Sequence, residues 1–158
     1  MPKQKTKQKT KRTKRILVVE DELEIRELYT ILLEAAGFQV QTAEHALSAV
    51  CAMVVQKPDL ILVDIRMPIM DGFSFVSEIR AYRDTRNIPI IAVTGLDSFE
   101  AREAAMKAGC NGFMTKPIQP ARFAKEIKSF LSSRKTAAPQ MPASNKSKSK
   151  ARAGVRRI

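Results

Sequence analysis

Apolar residues along this chain follow two alternating rhythms. Short continuous runs rich in β-branched residues give way to longer stretches in which apolar positions recur every three or four residues. The first rhythm predicts buried strands and the second amphipathic helices. Ile16 to Val19 is the first strand. Leu23 to Ala36 follows as a helix, with Ile25, Leu28, Leu32 and Ala35 at helical spacing and Gly37 as a stop. Phe38 to Thr42 is a second, short strand. Ala46 to Gln56 is a helix with Leu47, Val50 and Val54 on one face, and Pro58 prevents its continuation. "DLILVDI" is a near-continuous apolar run that closes in Asp64, the pattern of a strand covered on both faces. "GFSFVSEIRAY" brings Phe73, Val76 and Ile79 into helical register, and "IPIIAVTG" is a fourth strand. "DSFEAREAAMKAG" starts a helix with Asp97 and Glu100 as a capping pair. "GFMT" is a fifth strand, and "QPARFAKEIKSFL" is a helix with Pro120 in its first turn and Phe123, Ile127, Phe130 and Leu131 as its buried side.

Five β-α units in strict alternation predict an α/β fold: a five-stranded parallel sheet with helices on both faces and right-handed crossovers. In such folds, sites form outside the carboxyl ends of the strands. Those ends carry Glu20-Asp21, Asp64, Thr94 and Lys116, the polar residues that end otherwise apolar runs.

Charge divides the chain. Residues 1–15 carry eight Lys and Arg, residues 134–158 carry eight more, and neither stretch has an acid. The overall net charge of +12 therefore belongs to the flanks, because the middle holds all 16 Asp and Glu. The expected organisation is a basic disordered arm at 1–14, a folded domain at 15–133 and a basic disordered tail at 134–158. No apolar run reaches 18 residues, so no membrane span is expected, and no apolar segment follows the basic start as in a secretory signal. Cytoplasm is the expected location. Cys51 and Cys110 lack metal-ligand or CxxC spacing and are expected to be free thiols in a reducing compartment.

The acids at the strand ends raise an electrostatic problem. Two carboxylates about 5 Å apart repel by roughly 3 kcal/mol at an effective dielectric near 20. A shared cation removes the cost. Asp21 and Asp64, helped by Glu20, form an oxygen-rich site suited to Mg²⁺. Lys116 adds a point charge and Thr94 a hydroxyl. A carboxylate, a divalent cation and an ammonium around one small space suit phosphoryl transfer, with Asp64 as the nucleophile that forms an acyl phosphate.

The stretches "ILVVEDE", "LILVDIRMPIMDG", "IIAVTG" and "GFMTKPI", in this order, resemble the receiver domain of two-component response regulators. The resemblance covers about three quarters of the chain and neither flank. It implies a flavodoxin-like (βα)5 receiver fold, with Asp64 as phosphoacceptor. It also implies Mg²⁺ bound by Asp21, Asp64 and the backbone carbonyl of Arg66, with Glu20 acting through water or from behind the ligands. Thr94 and Lys116 would contact the phosphoryl oxygens. Thr94 and Phe113 would form the switch, and Lys116-Pro117 matches a bond that is usually cis. Glu20 stands where Asp is more frequent, and Phe113 where Tyr is, so the switch residue has no hydroxyl.

The implied function is a single-domain response regulator. It would be a signalling switch, not an enzyme with a separate substrate, and it would receive its phosphoryl group from a sensor histidine kinase or a phosphotransfer protein. His45 is expected to be a solvent-facing residue at a helix start and not the donor. Glu22 is expected to be a helix-start acid. The flanks suit non-specific contact with a polyanion, which gives an alternative reading: a DNA-associated regulator whose receiver is the switch. A flavin-binding domain of similar topology is disfavoured, because three acids follow the first strand where a phosphate loop would stand.

Overall fold

The computed structural model describes residues 12–133. The expected disorder of 1–14 and 134–158 lies outside the described residues, apart from 12–14. The elements alternate without exception: β1 (Arg15–Val19), α1 (Leu23–Ala35), β2 (Gln39–Ala43), α2 (Ala46–Val55), β3 (Leu60–Asp64), α3 (Gly72–Ala81), β4 (Ile90–Thr94), α4 (Phe99–Ala108), β5 (Gly112–Thr115) and α5 (Pro120–Ser133). The strands form one parallel sheet in the order β2-β1-β3-β4-β5. The order reverses between β1 and β3, which places a crevice at the carboxyl ends of those two strands.

Two apolar layers hold the sheet. Leu17, Val19, Ile61, Val63, Ile90 and Ala92 point to one face and pack with α2, α3 and α4. Ile16, Val18, Leu60, Leu62, Ile91 and Val93 point to the other, against Tyr29 and Leu33 of α1 and Phe123 and Ile127 of α5. Every residue of β3 and β4 is buried. Full burial of each Val, Leu or Ile contributes about 1.5–3 kcal/mol. The central strands are therefore the rigid base on which their polar ends are mounted.

The helical faces differ in places from the sequence pattern. In α5, Phe123 and Ile127 are buried and Phe130 and Leu131 partly so, as the spacing predicts. In α1 the buried residues are Tyr29 and Leu33, with Ile25 and Leu32 partly covered and Leu28 outside. In α2 the expected face is reversed. Ala46, Ala49 and Met53 are buried, whereas Leu47 and Val54 are 70% and 83% exposed. Small residues let this helix lie close to the sheet. Its larger ones line an apolar groove against α3, together with Met70 and Tyr82.

Two caps also differ. The N-cap of α4 is Ser98, whose side chain accepts from the Ala101 N–H, while Asp97 pairs with Arg102. Ser98 is one residue nearer the helix, so its short hydroxyl reaches the free N–H. His45, expected to face solvent, is half-buried and caps α2. Its Nδ1 accepts from the Ser48 N–H at 3.1 Å, and the Ser48 hydroxyl reciprocates at the His45 N–H. At the C-terminus of α4, Gly109 has φ 109°, a conformation that a side chain would strain.

Candidate functional site

β1 ends in Val19, and the two acids that follow have different surroundings. Glu20 is 1% exposed, whereas Asp21 lies in solvent. The Glu20 N–H donates to the Ala43 carbonyl at 3.0 Å, and its Oε1 accepts from the Glu22 N–H at 3.2 Å. Arg26, one turn into α1, donates from Nη1 to the carbonyls of Glu20 (2.7 Å) and Asp21 (3.3 Å). This guanidinium pins the acidic loop to its own helix. Sequence reading missed it; the available signal was an Arg four residues after Glu22, among acids.

Asp64 ends β3 and is 5% exposed. Its Oδ1 accepts from the Arg66 N–H at 2.9 Å, and its Oδ2 accepts from Lys116 Nζ at 2.9 Å. The same ammonium donates to Glu20 Oε2 at 2.8 Å. Lys116 follows β5, so its side chain passes the end of β4 to reach both acids. One carboxylate oxygen from each of Glu20, Asp21 and Asp64 falls within 4.8 Å of the others. The structure thus brings together all four charged residues singled out in the sequence.

The electrostatics explain how the acids are tolerated. Burial pushes the Glu20 carboxyl above its ordinary value. The hydrogen bond from Lys116 offsets this only in part, and the charge of Asp64 adds to the rise. Burial also works against the Lys116 ammonium, but its hydrogen bonds to Glu20 and Asp64 outweigh that cost, and its pKa stands above the usual lysine value. Three carboxylates against one ammonium leave negative charge in excess. Such an all-oxygen donor set suits a hard cation that keeps several waters, as Mg²⁺ does.

Thr94 ends β4 and is fully buried. Its Oγ1 accepts from the Leu96 N–H at 3.3 Å, and its carbonyl accepts from the Lys116 N–H at 2.8 Å. It therefore sits between the lysine backbone and the loop that leads to α4. The Lys116-Pro117 peptide is cis. Phe113, on β5, is half-buried, and the Arg102 guanidinium of α4 lies 4.9 Å from its ring centroid. Arg102 also binds Asp97 at 2.8 Å. The loop after Thr94 is thereby tied to Phe113 through one arginine, a connection that sequence spacing did not reveal.

The loop from 66 to 71 leads from the end of β3 into α3. Asp71 caps α3, accepting from the Ser74 N–H at 3.0 Å and the Ser74 hydroxyl at 2.9 Å, and these bonds hold its carboxyl below the usual range. The Gly72 N–H donates to the Ile65 carbonyl at 2.9 Å. A Cβ on Gly72 would stand 2.5 Å from the Asp64 carbonyl oxygen and 2.7 Å from the Ile65 Cα. Only glycine lets α3 begin this close to the strand end. Arg66 Nη2 reaches over the β4–α4 loop, 3.2 Å from where a Cβ on Gly95 would stand. Sequence reading had used only the Arg66 carbonyl. Cys51 is exposed and Cys110 is buried, both are free, and burial pushes the Cys110 thiol up to about 11.

Comparison with known proteins agrees with this geometry. The profile of the response regulator receiver domain matches residues 16–128. The chain belongs to that family, the receiving switch of two-component systems. The polar-differentiation response regulator DivK of Brucella ovis is 34% identical over 119 residues, covering 75% of this chain and 97% of DivK. The phosphate regulon transcriptional regulatory protein PhoB of Escherichia coli is 37% identical over 118 residues, covering 75% of this chain. The chain spans about half the length of PhoB, 52%. Among solved structures, the Vibrio cholerae chemotaxis protein CheY4 aligns with a TM-score of 0.72 at 28% identity, covering 75% of this chain and 99% of that one. A receiver domain of a sensor histidine kinase from Pseudomonas aeruginosa, with a magnesium ion coordinated in its active site cleft, aligns at 0.69 with 31% identity. That match covers 77% of this chain and 99% of the other. Among the described residues, no helix is long and apolar enough to cross a membrane.

Proposed function

We propose that Asp64 accepts a phosphoryl group from a sensor histidine kinase or a phosphotransfer protein in the cytoplasm, in an Mg²⁺-dependent reaction. The observation that carries this reading is the Lys116 ammonium, held at 2.8 Å from Glu20 and 2.9 Å from Asp64 with a third carboxylate alongside. An Asp64 oxygen forms the new bond to phosphorus as the donor's phosphorus–nitrogen bond breaks, and the imidazole leaves with the electron pair. Asp21, Asp64 and the Arg66 carbonyl would hold the metal, with Glu20 acting through water. When bound there, a divalent cation would supply positive charge to offset that of the phosphoryl oxygens and the clustered acids.

Lys116 would leave its carboxylate partners in part to meet the incoming phosphoryl oxygens. Thr94 would supply a hydrogen bond from the other side. The response would then pass along the loop that Asp97 and Arg102 join to Phe113, changing the surface of α4, β5 and α5 for a partner protein. Such a switch needs a few kcal/mol of difference in interaction between two states.

The test is incubation with acetyl phosphate and Mg²⁺ followed by intact-mass measurement. Wild type should gain one phosphoryl group, and the gain should vanish with EDTA or in Asp64→Asn. Undiminished labelling of Asp64→Asn would mean that another residue is the acceptor.

A further inference from the structure

The apolar stripe that the sequence marks on α2 points away from the domain. Leu47, Val50, Cys51, Val54 and Val55 are all exposed, and they follow the i, i+3, i+4, i+7, i+8 spacing of a helix face that packs against another surface. Residues 46–56 contain no charged side chain, so neither side of α2 is built for water. Beside this ridge runs the groove between α2 and α3, about 600 Å³ in volume, with Met53, Met70, Phe75, Ile79 and Tyr82 in its walls. The largest apolar patch on a typical monomer is about 300–600 Å². The stripe with Met70 and Tyr82 exposes an area on the order of the ~800 Å² that each partner buries in a specific interface.

Ridge and groove lie side by side, which makes this face complementary to itself. A second copy turned by a two-fold axis sets its ridge into the groove of the first, and its own groove receives the first copy's ridge. Charge selects the direction of the pairing. Glu44 stands at the start of α2, 64% exposed, with His45 Nε2 3.7 Å away. Lys57 stands just past the end of α2, where its ammonium donates to the Asp84 backbone carbonyl. Lys57 is the one cation among the residues that line the groove, and Glu78 and Asp84 are its acids, on the α3 side. Parallel α2 helices would set Glu44 against Glu44 and Lys57 against Lys57. Antiparallel helices set each Glu44 against the Lys57 of the other copy. The midpoint between Glu44 and Lys57 falls between Val50 and Cys51, which is also the middle of α2. Charges and apolar stripe therefore share one centre, as a two-fold axis requires.

We propose that the α2–α3 face joins two copies of this chain in a two-fold dimer, with the two α2 helices antiparallel and meeting near Cys51. The pairing buries the outward stripe of α2 on both copies and fills both grooves. Nothing in it depends on the chemistry proposed for Asp64. Cys51 is a native reporter of the dimer, because it is exposed and stands beside the axis. The other cysteine, Cys110, is buried and its thiol is pushed up to about 11, so a thiol reagent reaches Cys51 first.

The test is sedimentation equilibrium of the full chain from micromolar to near-millimolar concentration, with a short bis-maleimide linker to join two Cys51 thiols. Wild type should pass from monomer to dimer as concentration rises, and the linker should trap the dimer. Val54→Lys changes an exposed side chain, and its fold is checked by circular dichroism. It should raise the dissociation constant by about a hundredfold or more, since each dimer carries the change twice, and the trapped dimer should disappear. Glu44→Lys and Lys57→Glu should each weaken the dimer by on the order of tenfold, and the double swap Glu44→Lys/Lys57→Glu should restore it. Lys125→Glu, on α5 across the sheet, should leave the constant within about twofold of wild type. A dimer undiminished in Val54→Lys, or a double swap that fails to restore it, would overturn the assignment of this face. A wild type that stays monomeric throughout would overturn the choice of a second copy. Uptake of anilinonaphthalene sulfonate by that monomer, lost in Val54→Lys, would assign the groove to another apolar occupant.

Discussion

The two edges of the sheet handle charge in opposite ways. At the carboxyl-end edge, Glu20 and Asp64 are buried, share one ammonium, and have most of their hydrogen-bonding positions specified. At the strand-beginning edge the charges are largely solvated, and Arg12 is 69% exposed even while paired. Burial makes the first edge dependent on single residues, because a charge stripped of water and of its partner has nowhere to turn. Exposure makes the second edge collective, because each pair is screened and worth little alone. Chemistry on a reacting phosphoryl group, as proposed for Asp64, needs the first arrangement.

Breaking one residue at the buried edge should therefore cost far more than breaking one at the exposed edge. Asp64→Asn should abolish labelling outright, the largest effect expected anywhere in the chain. Lys116→Ala leaves Glu20 and Asp64 facing each other with their shared cation gone. We expect a loss on the order of 3 kcal/mol at neutral pH, read by urea denaturation without metal. A change under about 0.5 kcal/mol would show that water already screens this pair.

Asp21 sharpens the contrast, because it belongs to the site yet lies in solvent. Asp21→Ala removes one of three mutually repelling carboxylates and should raise metal-free stability by about 0.5–1 kcal/mol, a gain that high salt should erase. Wild type should gain stability with added Mg²⁺ as RT ln(1 + [Mg²⁺]/Kd), and the variant should lose most of that response. Thermal melts with and without Mg²⁺ read both effects. If the variant kept the full Mg²⁺ response, Asp21 would not be a ligand.

The smallest effect belongs to Asp59, an acid of the strand-beginning edge. Burial would raise its carboxyl, but the Arg15 N–H and the charges of Lys14 and Arg12 overcome this and hold it below the usual aspartate range. A lowered folded-state value means stability that is present above the unfolded value and lost as pH falls through the folded one. Asp59→Asn should therefore cost under about 1 kcal/mol at pH 7. The gap to wild type should close as the solution is acidified below the usual aspartate range. A gap that persisted there would assign the effect to packing and not to charge.

Much of this could be read from the chain before any coordinates. Alternation of apolar runs and amphipathic stretches was enough for five strands, five helices and a parallel sheet, because β3 and β4 are apolar throughout and α5 has one apolar stripe. Polar residues ending apolar runs were enough to nominate Asp21, Asp64, Thr94 and Lys116, because a strand buried on both faces can be polar only at its tips. The face of α2 was not readable. "ALSAVCAMVV" is apolar nearly all round, so its periodicity has no contrast, and close packing of Ala46 and Ala49 on the sheet decides which side is buried.

Tertiary structure alone decided which charges meet. Lys116 is 96 residues from Glu20 and 52 from Asp64, and the sheet order carries it to both. Arg26 holds the acidic loop and Arg102 joins Asp97 to Phe113 only because helix and loop turn toward each other. Segregation of basic flanks from an acidic middle is written in the sequence. That the described chain begins at Arg12 and ends at Ser133 on the edge away from Asp64 follows from parallel strands and antiparallel returning helices, which sort every loop to one end of the sheet or the other.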